Sequence, residues 1–173
     1  GDELIIATDN AGVFASSDDR TQWRQIGSFL PSQKINALHI YENTIYVSCY
    51  QKGIFSTSSK GFVWKDLNFD ISDRKVQAIN VFRDRVVVGA DSGVFTLNNG
   101  DETWSHVFEK DQVNVFIEED GKLLAGTSNG LIASLDRGAS WKSVQDQGAV
   151  FNLALLNGKI FIMDGKDQLE TSV

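Results

Sequence analysis

"SLDRGASW", Ser134 to Trp141, places Ser, Asp, Gly and Trp at spacings of two, two and three between strand-like segments. Blurred copies lie at "SSDDRTQW" (16–23), "TSSKGFVW" (57–64) and "LNNGDETW" (97–104). The tryptophans Trp23, Trp64, Trp104 and Trp141 are separated by 41, 40 and 37 residues. Gly12, Gly53, Gly93 and Gly130 keep the same separations, each 11 residues before its tryptophan. A register held over four copies marks an internal repeat, and periods near this length belong to repeat architectures.

Ahead of each glycine lies an apolar run: "ELIIAT" (3–8), "TIYVSC" (44–49), "RVVVGA" (85–90) and "KLLAGT" (122–127). Before the last three lies another: "INALHI" (35–40), "VQAINV" (76–81) and "VNVFIE" (113–118). Short β-branched and aromatic runs bounded by turn residues read as strands. The linkers are short and polar, and "NG" at 157–158 suits a type I′ hairpin turn. No stretch of 11 or more residues shows a helical period, and the one proline, Pro31, falls between repeats.

One unit is therefore strand, hairpin, strand, glycine turn, strand, Asp/Gly turn and a last strand such as "FVWKDL" (62–67). This order predicts an all-β fold, a β-propeller of four-stranded antiparallel blades. One such sheet cannot bury both faces alone, so the sheets must stack. The reading is a single propeller domain over 1–173, with repeats at about 3–26 (partial), 35–67, 76–107, 113–144 and 150–173 (partial). Three arrangements suit that count: five sheets with two incomplete ones meeting, a four-bladed ring with residues left over, or a piece of a larger propeller. About five sheets are expected, self-closed or open. An open arrangement exposes sheet edges and faces that would pair with another chain.

The turn motif has a structural rationale. An Asp side chain accepts hydrogen bonds from nearby backbone N–H groups, Gly supplies a conformation that a Cβ penalises, and Ser or Thr adds a local bond. The Trp at the start of the last strand covers the turn and packs against the next sheet. All four tryptophans are thus expected to be buried staples.

In these residues the chain resembles the Asp-box, or BNR, repeat S-x-D-x-G-x-x-W. Ser134, Asp136, Gly138 and Trp141 match in full, and Ser16, Asp18 and Trp23 match with Arg20 in the glycine position. Thr57, Ser59, Gly61 and Trp64 match with Ser for Asp, and in the third copy Asn99 and Trp104 remain. "LLAGTSNGLIASLDRGASW" (123–141) is similar to photosystem II assembly-factor-like proteins and sortilin-like receptors. Bacterial sialidases and xyloglucanases carry the same box. The resemblance implies a propeller and a secreted or periplasmic setting, and it specifies function far less than fold. The start "GDELIIATDN" has no signal-peptide pattern.

Composition narrows the partners. A formal net charge of −7, without a basic cluster, argues against nucleic acid and anionic membrane surfaces. The longest apolar runs, such as "VVVGA" (86–90), are far too short to insert in a membrane as a helix. A lone cysteine, Cys49, excludes an internal disulfide. His39 and His106 are too far apart in sequence to suggest a metal site and read as packed or edge residues. Glu118, Glu119 and Asp120 fall in a hairpin turn, where solvated charges are expected. No phosphate loop, dinucleotide fingerprint or nucleophile elbow occurs, so no cofactor is expected.

The reading is a non-enzymatic binding or assembly scaffold for protein–protein interaction. The alternative is a carbohydrate-binding module or a fragment of a glycoside hydrolase or sialidase-like propeller. The loops opposite the Asp/Gly turns supply the candidate partner face: Phe29, Phe69, Arg74, Lys75, Asp91 and Asn129. Aromatic and Arg side chains with a polar rim suit protein contacts. The plainer reading is that Phe29 and Phe69 fill gaps between sheets. Partners are expected to be another protein, or a second copy through open edges, with a glycan as the alternative.

Overall fold

The computed structural model describes residues 3–17, 20–58, 63–146, 148–164 and 169–171, the last three by backbone alone. Among the described residues there is no helix, and every strand pairing is antiparallel.

The chain divides into two compact units, Gly1–Val76 and Gln77–Val173. In the first unit, β1 (Ile5–Ala7), β2 (Val13–Ser16) and β3 (Trp23–Gln25) form one sheet in that order. The second sheet runs β4 (Ile35–Tyr41), β5 (Thr44–Cys49), β6 (Gly53–Ser58) and β7 (Lys65–Asp66). The third sheet begins at the unit boundary with β8 (Val76–Phe82), followed by β9 (Arg85–Ala90), β10 (Gly93–Asn98) and β11 (Ser105–Phe108). In the second unit come β12 (Val113–Glu119), β13 (Lys122–Thr127), β14 (Gly130–Ser134) and β15 (Lys142–Gln145) as the fourth sheet. The fifth holds β16 (Val150–Leu156), β17 (Lys159–Asp164) and β18 (Leu169–Thr171). The second, third and fourth sheets are thus the four-stranded meanders that the repeat predicts.

Local chemistry sets the register. The hairpins Glu119↔Lys122 and Leu156↔Lys159 leave two residues in each turn. Those residues, Asp120–Gly121 and Asn157–Gly158, all have φ between 50° and 77°, the type I′ geometry that matches strand twist. At the opposite end of the second sheet, Gly53 has φ +82°, and a Cβ there would lie 1.7 Å from Asn68 Oδ1. That contact explains the glycine. Asn68, itself buried, accepts from Ile54 N at 3.0 Å and donates to Lys52 O at 3.1 Å, so it caps the turn.

Within the first unit, Val13, Ala15 and Ile26 meet Ile35, Ile45, Val47 and Phe55 in one core, with Trp64 packed against it. Cys49 lies fully buried in the same cluster, where desolvation raises its thiol pKa to about 11. Within the second unit, Val87 and Val94 of the third sheet pack on Val113, Leu123, Ala125, Ile132 and Trp141 of the fourth. Leu131 of the fourth sheet packs on Val150, Leu153 and Ile162 of the fifth. Each such aliphatic side chain, fully buried, contributes about 1.5–3 kcal/mol.

Candidate functional site

The turn after β14 shows what the recurring motif does. Ser134 Oγ donates to Asp136 Oδ1 at 2.7 Å and accepts from Gly138 N at 2.8 Å. Asp136 Oδ1 also accepts from Ser140 N at 2.9 Å, and its Oδ2 accepts from Ser140 Oγ at 2.6 Å. Those bonds from Ser140 are the main reason the Asp136 carboxyl is pulled down from 3.8 to about 2. Gly138 has φ +82°, and a Cβ on it would lie 2.7 Å from Val87 Cγ2 of the third sheet. Trp141 Nε1 donates to Gly138 O at 3.1 Å, and the indole stacks on Phe116 at 5.6 Å between centroids. Ser134, Asp136, Ser140 and Trp141 are thus engaged with one another and with the turn's backbone, while Arg137 Nη1 lies 3.8 Å from Asp84 Oδ1.

The other copies depart from it. Ser16 is buried, but its Oγ accepts from Leu4 N at 2.8 Å, tying β1 to the turn. Arg20 takes the glycine's place with φ 59°, and Asp18 lies outside the described residues. In the second copy Thr57 Oγ1 donates to Val63 O at 2.6 Å, while Ser59 and Gly61 lie outside the described residues. In the third copy Asn99 N donates to Asp84 O at 2.8 Å. The side-chain staple there is Asn98 Nδ2 to Asp101 Oδ2 at 3.0 Å. Sequence reading picked the neighbouring residue; the signal was the Asn-Asn-Gly-Asp run itself, a turn composition that holds without the full motif.

Two expectations about the tryptophans need correction. Trp104 and Trp141 are buried, yet Trp23 is 42% exposed. Its strand β3 is solvent-facing throughout, and no sheet precedes it among the described residues to receive the ring. The ring direction also differs from the expected packing on the next sheet. Trp64 Nε1 donates to Ile26 O at 2.8 Å, just past the last strand of the preceding sheet, and Trp141 clusters with Val87 and Val94 of the preceding sheet.

At the other end of the sheets, loop carbonyls and turns meet. Tyr50 N donates to Lys34 O at 2.8 Å in the first unit, and Ser128 N donates to Gln112 O at 2.9 Å in the second. Phe29, on the loop between β3 and β4, is 86% exposed, whereas Leu30 beside it is buried. Leu30 and Ile71 fill the apolar interior, so Phe29 is not a gap filler. The loop under Phe29 is pinned: Leu30 N and Gln33 Nε2 both donate to Gly27 O, at 3.1 and 3.0 Å. On the loop between β7 and β8, Phe69 is partly exposed with Lys65 Nζ 6.0 Å from its ring centroid. Arg74 and Lys75 are exposed on the same loop, and Lys75 N donates to Asp73 Oδ1 at 2.9 Å. Asp91 and Asn129 belong to the second unit, in the β9–β10 and β13–β14 turns, where Asn129 N donates to Thr127 Oγ1 at 3.1 Å.

Two further groups carry little chemistry. Glu118 Oε1 accepts from Gly121 N at 2.6 Å, so that carboxylate holds its own hairpin. It borders an apolar pocket of about 160 Å³ floored by Ile117, Leu124, Leu155 and Ile160. His106 stacks on Phe95 with centroids 3.9 Å apart, its Nε2 3.1 Å from Ser92 O. Among the described residues, no three of His, Cys, Asp and Glu are grouped as metal ligands would be.

No protein-family model matches the sequence, and no curated protein matches it. Solved structures do. The extracellular domain of a one-component system from B. thetaiotaomicron superposes with TM-score 0.78 at 17% identity, covering 99% of this chain and 26% of that one. YCF48 bound to D1 peptide gives TM-score 0.74 at 12% identity, covering 99% of this chain and 61% of that one. An ancestral GH74 enzyme gives TM-score 0.73 at 13% identity, covering 98% and 29%. This chain spans less than two thirds of each. With the stacked antiparallel sheets, these likenesses define the fold as a β-propeller. At such identities the likeness is one of fold alone.

Proposed function

We propose that this chain is a non-enzymatic propeller module, a single domain built on Asp-box repeats, that binds a partner protein through the loops after β3 and β7. The observation that carries the reading is Phe29, an aromatic ring held almost wholly in solvent on a pinned loop. A rigid loop loses little entropy when its aromatic side chain is captured, which is why such residues anchor interfaces. Phe69 and Arg74 on the equivalent loop of the next sheet extend the same surface with the residue types that interfaces favour. Lys75 on the same loop supplies a polar group for a rim, while Asp91 and Asn129 belong to the turns of the second unit. That YCF48 has been solved with a peptide bound supports a polypeptide partner, and an extracellular-domain neighbour suits a secreted or periplasmic setting. The motif chemistry favours the same reading, because Ser134, Asp136, Ser140 and Trp141 bond to one another and to the backbone of their own turn.

The test compares proteins recovered from the source organism by the parent chain and by a Phe29→Ala, Phe69→Ala, Arg74→Ala triple variant. A partner captured by the parent and lost by the folded variant supports the reading. Identical recovery sinks it. One observation favours a second reading, a carbohydrate-binding module or part of a glycosidase. Trp23 offers an open indole face of the kind sugars stack on, and a GH74 enzyme is among the structural neighbours. A glycan array and a fluorogenic glycoside screen separate the two: binding lost in Trp23→Ala, or turnover, favours the sugar reading.

A further inference from the structure

Three Asn-Gly pairs occur in the chain, Asn99–Gly100, Asn129–Gly130 and Asn157–Gly158, and each stands in a different kind of turn. Asparagine is a chemically labile residue. Its side-chain amide lies open to attack by the next backbone nitrogen when that residue is glycine, because no Cβ screens the nitrogen. Such an attack needs a glycine N–H that no acceptor holds and an asparagine side chain free to swing toward it. It also needs a backbone that can turn at the asparagine without unpairing strands.

The fourth sheet denies these conditions to its own pair. Gly130 is buried and opens β14 opposite Thr127. Thr127 Oγ1 donates to Gly130 O at 3.0 Å and accepts from Asn129 N at 3.1 Å, so one hydroxyl clamps both residues. Bringing Gly130 N onto the Asn129 side chain would pull the first residue of β14 out of its pairing with β13. Asn157 and Gly158 are constrained differently. They are the two central residues of the hairpin closed by Leu156 and Lys159, each at positive φ. Rotation at Asn157 breaks that closing pair, since the turn has no further residue to absorb it.

Asn99–Gly100 sits in a longer connection. Residues 99–104 join β10, which ends at Asn98, to β11, which begins at Ser105. The turn is held through neighbouring groups. Asp101 N donates to Asn98 O at 3.1 Å, Asn98 Nδ2 donates to Asp101 Oδ2 at 3.0 Å, and Asn99 N donates to Asp84 O at 2.8 Å. None of these bonds uses Gly100 N or the Asn99 side-chain amide. Both residues are exposed, and a Cβ at Gly100 would meet no heavy atom within 4 Å beyond its chain neighbours. Water therefore reaches the pair from outside.

We propose that Asn99 is a site of spontaneous hydrolysis, converted through a cyclic imide to aspartate and isoaspartate well ahead of Asn129 and Asn157. Gly100 N loses its proton to base and attacks Asn99 Cγ. The new N–C bond closes the imide, the bond from Cγ to the amide nitrogen breaks, and ammonia leaves with a proton returned to it. Water then adds to one of the imide carbonyls. Opening at the side-chain carbonyl gives aspartate, and opening at the main-chain carbonyl gives isoaspartate, whose backbone runs through Cβ and Cγ. Nothing is oxidised or reduced, and water is the only co-reactant consumed.

The product changes the turn. Asn99 occupies the position that Asp136 fills in the fourth sheet, so either product places a carboxylate there, beside Asp101. In the fourth sheet Ser134 Oγ donates to that carboxylate, whereas Leu97 stands in the serine's place here and has no hydroxyl to give. No residue of the partner loops takes part, so the outcome is independent of the loop reading above.

The test is to age the purified chain in mildly alkaline buffer and map its peptides by mass spectrometry over time. Lys110, Lys122, Arg137 and Lys142 let trypsin place the three pairs on separate peptides. The peptide holding Asn99 is expected to turn acidic, and to yield an isoaspartyl isomer, several-fold faster than those holding Asn129 and Asn157. In urea the three rates are expected to converge, because the dipeptide is the same and the turns are gone. Equal rates in the folded chain, or conversion led by Asn129 or Asn157, overturn the proposal. So does an Asn99 amide that converts in urea but stays intact in the folded chain. Rates that remain apart in urea trace the difference to flanking sequence and overturn the structural account.

Discussion

Trp141 and Trp23 end the same eight-residue pattern with the same Ser at its head, yet one indole is 9% exposed and the other 42%. The fourth sheet's turn donates Trp141 Nε1 to Gly138 O, stacks the ring on Phe116 and lets Val87 approach through the missing Cβ of Gly138. In the first sheet, Arg20 fills the glycine's place and Ser16 Oγ accepts from Leu4 N. The comparison teaches that the turn motif positions a tryptophan, while the neighbouring sheet decides whether that tryptophan is core. Trp64 makes the same point from the middle of a unit, its Nε1 donating to Ile26 O past the end of the preceding sheet.

The comparison breaks most sharply at the two rings. Trp141→Ala is expected to destabilise the chain by about 3–5 kcal/mol, the usual cost of truncating a buried aromatic. Urea denaturation followed by circular dichroism measures it, and a loss as small as that of Trp23→Ala would erase the distinction. Next in size is Gly53→Ala, at the opposite end of the sheets. A Cβ only 1.7 Å from Asn68 Oδ1, on a backbone at φ +82°, is expected to cost about 1–3 kcal/mol. If the same denaturation assay finds Gly53→Ala neutral, the Asn68 cap is not what holds that turn.

A smaller effect belongs to the carboxylate. Asp136→Asn is expected to cost about 1 kcal/mol at neutral pH, within the usual range for exposed hydrogen-bonded charges. Its folded pKa of about 2 lies below the ordinary 3.8, so its contribution is fully present above pH 3.8 and is lost as pH falls toward 2. Denaturation midpoints over that window should therefore fall further for the parent than for Asp136→Asn; parallel curves would refute the assignment. Smallest of all, Trp23→Ala is expected to change stability by no more than about 0.5 kcal/mol, as surface substitutions usually do. Its main consequence should be optical, the loss of the emission component most open to acrylamide quenching.

Much of the framework was legible in residue order. The eleven-residue gap from glycine to tryptophan, the alternating apolar runs and the Asn-Gly turn are local signals, and they yielded strand order, hairpins and the stacked-sheet class. The Asp136 network was legible too, because its partners lie within four residues. Other features were not. Asn36 and Asn114 read as ordinary polar residues in strands until their bulges turned them toward a carbonyl in another sheet. Gly53 was visible as a periodic glycine, but the residue that demands it, Asn68, sits 15 positions away. Phe29 looked equally suited to filling a gap or facing water, and Leu30 took the interior instead.

Sequence alone determined the repeat, the meander of each sheet and the chemistry of the tightest turn. Those rest on backbone preference and on hydrogen bonds between near neighbours, which depend little on what surrounds them. Tertiary structure alone decided which tryptophans are core and which loop aromatic faces solvent. Burial is a property of two surfaces brought together, and one strand's residues do not record what lies against them.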